Sequence, residues 1–473
     1  MSETRAVITA ELTATDMDTL RRLECLPMTW VQGRLLMMGG LGYTFDAMDS
    51  AVIAFLLPAV AVVFHLTNAH TGFLASSSII GYLFGAFLAG TMGDLIGRKN
   101  VMMYALAIYA VASLFGACSP TWTFLSWSRI VGGVGYGAES AIIAPFLSEF
   151  IQSRYRGRYI GSLSGFFSFG YVFAALLGYF IVPASSMGWR IVQVITALPI
   201  VMLLWWRRAL PESPRWLIQR GRSEEARQIV SRMEAEVQRR IGRDLPSPGG
   251  VVLPAVTSRR GGTFLQNLAA LWSPGLRRGT AMLWGLWLSI TFSYYGFFTW
   301  IPSLLVKQGL TITRSFGYSI IIYLAQIPGY YSAAFVSEKL DRKWTIILYM
   351  IGGGCSAFCM ANTRDQGLII FFGSCLSFFM NGTYAGIYAY TPEVYPTAFR
   401  TTGMGVASSF GRLGGLSAPI VIGLTYAHIG FGGVFTITTT VLLAGATAVG
   451  ILGIRTTGKT LEQITAEEIG QNK

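Results

Sequence analysis

The sequence predicts an all-α membrane protein of twelve transmembrane helices in two six-helix halves, with both termini cytoplasmic. Three observations carry that prediction. Of 473 residues, 52% are hydrophobic and only 12% are charged, about half the roughly 25% typical of soluble domains. Apolar runs of about 20 residues recur along nearly the whole chain, each matching a hydrocarbon core of about 30 Å at about 1.5 Å per residue. Lys and Arg fall almost entirely on one side of the resulting topology. An ordinary cytosolic globular protein is thereby excluded, and the 55 glycines suit helices that approach closely in lipid.

Each span is delimited by its flanks. The first 30 residues carry Glu3, Glu11, Asp16, Asp18 and Glu24 with no apolar h-region, so no cleavable signal peptide is expected. The first span, 35–63, follows Arg34, and the second, 72–92, ends at a charged loop through Lys99. The third, 101–119, starts beyond that loop, and the fourth, 122–147, ends before Glu149. The fifth, 159–183, follows the Arg154, Arg156 and Arg158 cluster, and the sixth, 189–210, stops before Pro211. The seventh, 278–306, opens the second half; the eighth, 315–337, ends at a second charged loop through Lys343. The remaining spans read as 343–361, 367–391, 401–426 and 430–454.

With the termini inside, 30 of the 36 Lys and Arg are cytoplasmic, while the outer loops hold Arg190, Lys307, Arg314 and Arg364. That split fixes the orientation. It also explains the net charge of +13 without any nucleic acid partner; the basic face is expected to meet anionic lipid. Residues 1–34 form a cytoplasmic segment, 35–210 the first half, 211–277 a cytoplasmic loop, 278–454 the second half and 455–473 a tail. In the loop, Ala226, Ile229, Val230, Met233, Val237 and Ile241 recur at helical spacing behind a candidate N-cap Ser223, predicting an amphipathic helix. Pro246 to Gly262 reads as a flexible connector. Cys25, Cys118, Cys355, Cys359 and Cys375 are an odd set, mostly inside apolar segments, which argues against a disulfide framework, and Cys355 and Cys359 are expected to be packing residues.

The two halves repeat. Gly93 to Lys99 (GDLIGRK) aligns with Ser337 to Lys343 (SEKLDRK) at an offset of 244 residues, and Glu149 with Arg156 recurs as Glu393 with Arg400 at the same offset. Parallel six-helix repeats around a midplane cavity suit a carrier in which one half rocks against the other. GDLIGRK resembles the major facilitator loop signature, and RIVGGVGYG, from Arg129 to Gly137, resembles the helix 4 motif of that superfamily. APFLSEF with RYRGR, PESPRWL from Pro211 and PEVYPTAFRTTGMG from Pro392 resemble a narrower cluster. It holds sugar porters, organic cation and anion transporters, synaptic vesicle glycoproteins and bacterial niacin-type metabolite transporters. The resemblance implies the major facilitator fold. Asp46-Ala47-Met48-Asp49 is similar to the aspartate pair of aromatic acid:proton symporters, which usually have Gly where this chain has Ala47. Gly93, Asp94, Arg98 and Lys99, and in each half Glu149 with Arg154, Arg156 or Arg158 and Glu393 with Arg400, are expected to form cytoplasmic latches.

Ionisable groups at membrane depth are functional candidates. Here they are Asp46, Asp49, Arg129, Glu139 and Arg412. Asp49 lies about 21 Å along the first span and Arg129 about 10 Å into the fourth from the opposite face, so the depths match and an ion pair is reasonable. Asp46 is one turn away on the same face. Three carboxylates against two arginines leave one negative charge, so one carboxyl is expected to carry a proton, with the helix 1 pair ranked above Glu139. Arg412, about 15 Å into the eleventh span, can clamp a carboxylate bidentately. Its position resembles the helix 11 arginine of organic anion transporters. Tyr294, Tyr295 and Phe298 of the seventh span and Asn381, Tyr384 and Tyr388 of the tenth are candidates to hold a flat ring. Trp284 and Trp300 read as interfacial belt residues. The glutamine pair usual in helix 7 of sugar porters is missing from SITFSYYGFFTW.

The expectation is a secondary transporter of the bacterial inner membrane. It would import a small organic anion, preferably an aromatic carboxylate such as nicotinate, with a proton, as a monomer. An organic cation or sugar carrier, or a non-transporting receptor, are the alternatives. No metal-ligand cluster or nucleophile with an adjacent base stands out, so neither enzyme chemistry nor a cofactor is expected.

Overall fold

A computed structural model describes residues 13–242, 245, 264–395 and 400–455, and contains no strand among them. The helices are α1 (Ala14–Cys25), α2 (Trp30–Val63), α3 (Asn68–Ile96), α4 (Arg98–Ala117), α5 (Trp122–Ser148), α6 (Ser153–Ile181), α7 (Gly188–Ala197), α8 (Met202–Ala209), α9 (Pro214–Gln219) and α10 (Ser223–Ile241). They continue as α11 (Phe264–Leu271), α12 (Arg277–Lys307), α13 (Ile312–Leu324), α14 (Gln326–Leu340), α15 (Arg342–Asn362), α16 (Gln366–Val394) and α17 (Arg400–Leu452). Ten helices of the described residues are long and apolar enough to cross a membrane. Large apolar side chains such as Phe84, Phe87, Phe180 and Leu204 point outward, as a lipid-facing surface requires.

Local chemistry sets the helix starts. α2 begins five residues earlier than the apolar run indicates, because Thr29 and Gln32 form a capping box. Thr67, Thr121, Thr311 and Asp365 cap α3, α5, α13 and α16. The sixth predicted span is interrupted: α7 and α8 flank a 3-10 segment, Leu198–Val201, at Pro199, where the missing N–H breaks the α ladder. The eighth is likewise split into α13 and α14 at Ala325. Within α17, Gly430 adopts φ 61 and kinks the helix.

Two segments differ from the sequence reading. Thr13 and Asp16 cap a helix, α1, in the stretch read only as lacking an h-region. Ser223 is the first residue of α10, not its N-cap, which is Arg222. α1 docks on α9 and α10: Leu20 packs with Trp216, Leu217, Ile218 and Ala226, and Arg22 pairs with Glu234. None of the five cysteines is in a disulfide.

Close backbone contact holds α3 to α5. Cβ atoms added at Gly81 and Gly85 would strike Ile130 and Val134 carbonyls, and at Gly133 that of Ser78. The N-terminal helices meet the C-terminal ones chiefly at the end remote from α1 and α10. There Ser76 donates to the Leu416 carbonyl at 2.8 Å, Lys307 to Asn68 at 2.6 Å, and Gly72 lies against Pro419. Phe55 packs edge-on to Phe316 and Tyr323 at the same seam.

Candidate functional site

The long α2 and α5 helices carry four buried ionisable groups into the interior. Arg129, 3% exposed, donates from Nη1 to Asp49 Oδ1 at 2.9 Å, from Nη2 to the Asp49 carbonyl at 2.6 Å and from Nε to Ser78 at 3.0 Å. The Ser113 hydroxyl donates to Asp49 Oδ1 at 3.2 Å. The pair inferred from helix depth is therefore present and its arginine is fully engaged. Asp46 and Glu139 are fully buried, and none of their carboxyl oxygens meets a donor among the described residues. Glu139 lies against Gly42 of α2.

Arg412 of α17 reaches across the seam. It donates to Tyr295 of α12 at 3.2 Å and to Tyr82 of α3 at 3.1 Å, with its guanidinium 4.4 Å from the Tyr82 ring centroid. Both partners are tyrosine hydroxyls, and no described ion pair includes this cation.

Next to Tyr295, a partner of Arg412, lies a small cavity of about 10 Å³, room for about one water molecule. Tyr294, Tyr295 and Phe298 of α12 line it, as the sequence suggests, together with Ser50 of α2, Tyr171 of α6 and Tyr323 of α13. Tyr171 stands edge-on to Tyr294 and to Tyr323, each at 5.9 Å. Tyr384 extends the ring cluster, 5.2 Å from Tyr294, and donates to Thr291 at 3.1 Å. Tyr388 stacks on Tyr384 and meets Trp287 edge-on at 5.2 Å. Asn381 is buried but spends its amide on the Ser377 carbonyl of its own helix at 3.0 Å. Trp300 does not belong to an interfacial belt: it is fully buried and donates to the Pro419 carbonyl at 3.3 Å. Trp284 is half-buried, stacked on Phe410 at 4.5 Å. Sequence reading missed Tyr82, Tyr171 and Tyr323, since one aromatic in an apolar span looks like any packing residue until the helix rotation is known.

At the other end, charged loops cluster close to the helix termini. Arg98 pairs with Glu149 at 3.0 Å, and 244 residues on, Arg342 pairs with Glu393 at 2.9 Å. The same contact is made in both repeats, between loops that the sequence reading had not connected. Ser213 donates to Glu149, and Glu212 accepts from the Lys99 amide at 3.2 Å. The PESPR segment thereby ties into the first loop. Gly93 packs under Ile142. The side chains of Asp94, Arg154, Arg156, Arg158 and Arg400 lie outside the described residues.

Comparison with known proteins places this geometry. A family profile described as "Sugar (and other) transporter" matches residues 36–467. The "Niacin transporter NiaP" of Acinetobacter baylyi is 40% identical over 449 residues, covering 95% of this chain and 100% of the relative. The "Organic cation/carnitine transporter 7" of Arabidopsis thaliana is 28% identical over 435 residues, covering 83% and 85%. Among solved structures, the inward-open conformation of the xylose transporter XylE from E. coli matches with a TM-score of 0.72 at 19% identity. It covers 92% of this chain and 99% of that one, a likeness that speaks to the fold alone.

Proposed function

Since the chain belongs to the sugar (and other) transporter family of the major facilitator superfamily, a family of multi-pass membrane transporters, we propose that it imports nicotinate or a closely related aromatic carboxylate. Proton symport and alternating access complete the proposal. The observation that carries it is Arg412, a cation held at the seam by two phenols and adjoining a tyrosine-rich cavity. A guanidinium so placed offers a planar carboxylate two parallel donors, while rings of Tyr171, Tyr294 and Phe298 face a flat heterocycle edge and face. The likeness to a protein named a niacin transporter supports the same class of substrate.

Twelve passes arise when α12 joins the apolar helices and α17 counts twice, on either side of Gly430. Residues 35–210 and 278–454 then form the two six-helix halves, joined by the 211–277 loop. The excess of Lys and Arg puts residues 1–34, that loop and the 455–473 tail in the cytoplasm of the bacterial inner membrane. In this frame the Lys307–Asn68 and Ser76–Leu416 contacts close the outer end. Asp46, Asp49, Arg129 and Glu139 form the proton-coupling group, and the Arg98–Glu149 and Arg342–Glu393 pairs are latches, remade as the halves rock. A monomer suffices for this cycle.

The test is uptake of labelled nicotinate into proteoliposomes. Wild type accumulates it, Arg412→Gln falls to the level of protein-free vesicles, and hexoses do not compete. Uptake of a hexose with no response to any carboxylate overturns the proposal.

A further inference from the structure

The seam between the halves is tightest around the Pro419 carbonyl of α17. Trp300 of α12 donates to it at 3.3 Å, and a Cβ placed on Gly72 of α3 would stand 2.5 Å from it. A Cβ on Gly423 would likewise stand 2.6 Å from the Asn68 backbone carbonyl. Lys307, the last residue of α12, bolts this contact: its ammonium donates to the side-chain carbonyl of Asn68, the first residue of α3, at 2.6 Å. The same ammonium stands 4.1 Å from the Tyr426 ring centroid and 5.5 Å from that of Trp300. The Lys307 side chain is exposed, and no described ion pair includes it.

The charge around this bolt is one-sided. In the topology proposed above, the outer loops hold Arg190, Lys307, Arg314 and Arg364 against one acid, Asp365, whose carboxylate caps α16. Arg190 spends its donors on the Ala117 and Ser119 carbonyls within its own half. Among the described residues, Lys307 is the one of these four cations that bonds across the seam. A face of one sign draws oppositely charged solutes to it. An ammonium bonded to a neutral amide carbonyl gains by exchanging it for a carboxylate, which makes roughly twice as strong a bond. Asn68 is therefore the partner that an arriving organic anion displaces. Because the Asn68 bond also ties the halves together, capture of the anion loosens the outer end in the same step. The flexible four-carbon stem of lysine suits a group that must swing between two partners.

We propose that Lys307 is the outer capture site for the substrate carboxylate: the anion takes the ammonium from Asn68, the outer end opens, and Lys307 returns to Asn68 once the anion has passed inward to Arg412. The proposal rests on the import of an organic anion read above and adds to it a specificity residue outside the cavity.

The experiment measures initial uptake of labelled nicotinate by the full chain in proteoliposomes, with its outer end outward, at low and at physiological ionic strength. In wild type KM rises with salt, because screening weakens the attraction. Lys307→Gln raises KM about tenfold at low salt, the lower end of what charge focusing supplies; the loss falls on KM rather than on kcat, and KM no longer follows salt. Lys307→Arg restores both. A wild-type KM and salt response in Lys307→Gln overturns the proposal, whereas no nicotinate uptake by wild type overturns the import reading. A second measurement needs no substrate: hydrogen–deuterium exchange of the amides of residues 71–76 and 419–426. Exchange there is faster in Lys307→Gln and in Asn68→Leu than in wild type. Unchanged exchange in both variants overturns the bolt, and with it the proposal, whatever the protein transports.

Discussion

Replacing Arg129 by Met tests whether Asp49–Arg129 is a structural pair. Asp49 is 1% exposed, and after the substitution Ser113 is its one remaining side-chain donor among the described residues. Removing one partner of a buried ion pair costs about 3–5 kcal/mol, because the other charge is stranded. Asp49→Leu strands the arginine in the same way. The double variant Asp49→Leu/Arg129→Met strands neither. It still loses the 3.0 Å bond to Ser78, the 2.6 Å bond to the Asp49 carbonyl and the 3.2 Å bond from Ser113. The groups left behind are neutral, so the loss is about 1 kcal/mol each. The double variant is thus expected about 2–3 kcal/mol below wild type, above either single variant. Unfolding of all four proteins in detergent, followed by tryptophan fluorescence, gives the coupling energy directly. Additive losses, with the double variant the least stable of the four, refute the reasoning.

Two further outcomes follow from the loop end. Gly97 and Asp341 share one backbone conformation, φ 97, ψ 148 and φ 88, ψ 143, in a region almost reserved for glycine. Gly97→Ala adds strain of about 1–3 kcal/mol and drives a methyl into the Glu212 carboxylate, whereas Asp341→Ala keeps a strain already present and loses a cap worth about 1 kcal/mol. Melting curves should show the larger loss at Gly97, and equal losses count against the strain. Burial pushes the Glu149 carboxyl above its usual 4.5, opposed by the Ser213 hydroxyl and Arg98. The folded chain then binds that proton more tightly than the unfolded one, so this contribution to stability is full below about 4.5 and is lost as pH rises through the folded value. Glu149→Gln should flatten the stability profile over that window; an unchanged slope argues against it.

Much of this architecture was legible because lipid imposes long apolar runs and leaves charges only at their ends. The Asp49–Arg129 pair was legible for a related reason: rise per residue converts sequence position into depth. Helix rotation and lateral packing are not encoded so simply. Tyr82, Tyr171 and Tyr323 sit among other aromatic residues of their helices, and only the packing of α3, α6 and α13 turns them toward Arg412 or the cavity. Trp300 has the depth of a belt residue, yet α12 presents it to Pro419. The offset of 244 residues aligned the charged segments, but the partner of Glu149 lies at the start of α4, 51 residues away. α1 escaped notice because a 12-residue amphipathic helix gains its stability from docking on α10 rather than from its own sequence.

The central claim is that an aromatic carboxylate binds between Arg412 and the tyrosine cavity. An anomalous-difference map of the protein with a ring-brominated nicotinate tests it most directly. The account predicts bromine density among Tyr171, Tyr294 and Phe298, with the carboxylate on the Arg412 guanidinium. Bromine outside that cavity, with Arg412 still bonded to Tyr82 and Tyr295 alone, contradicts it.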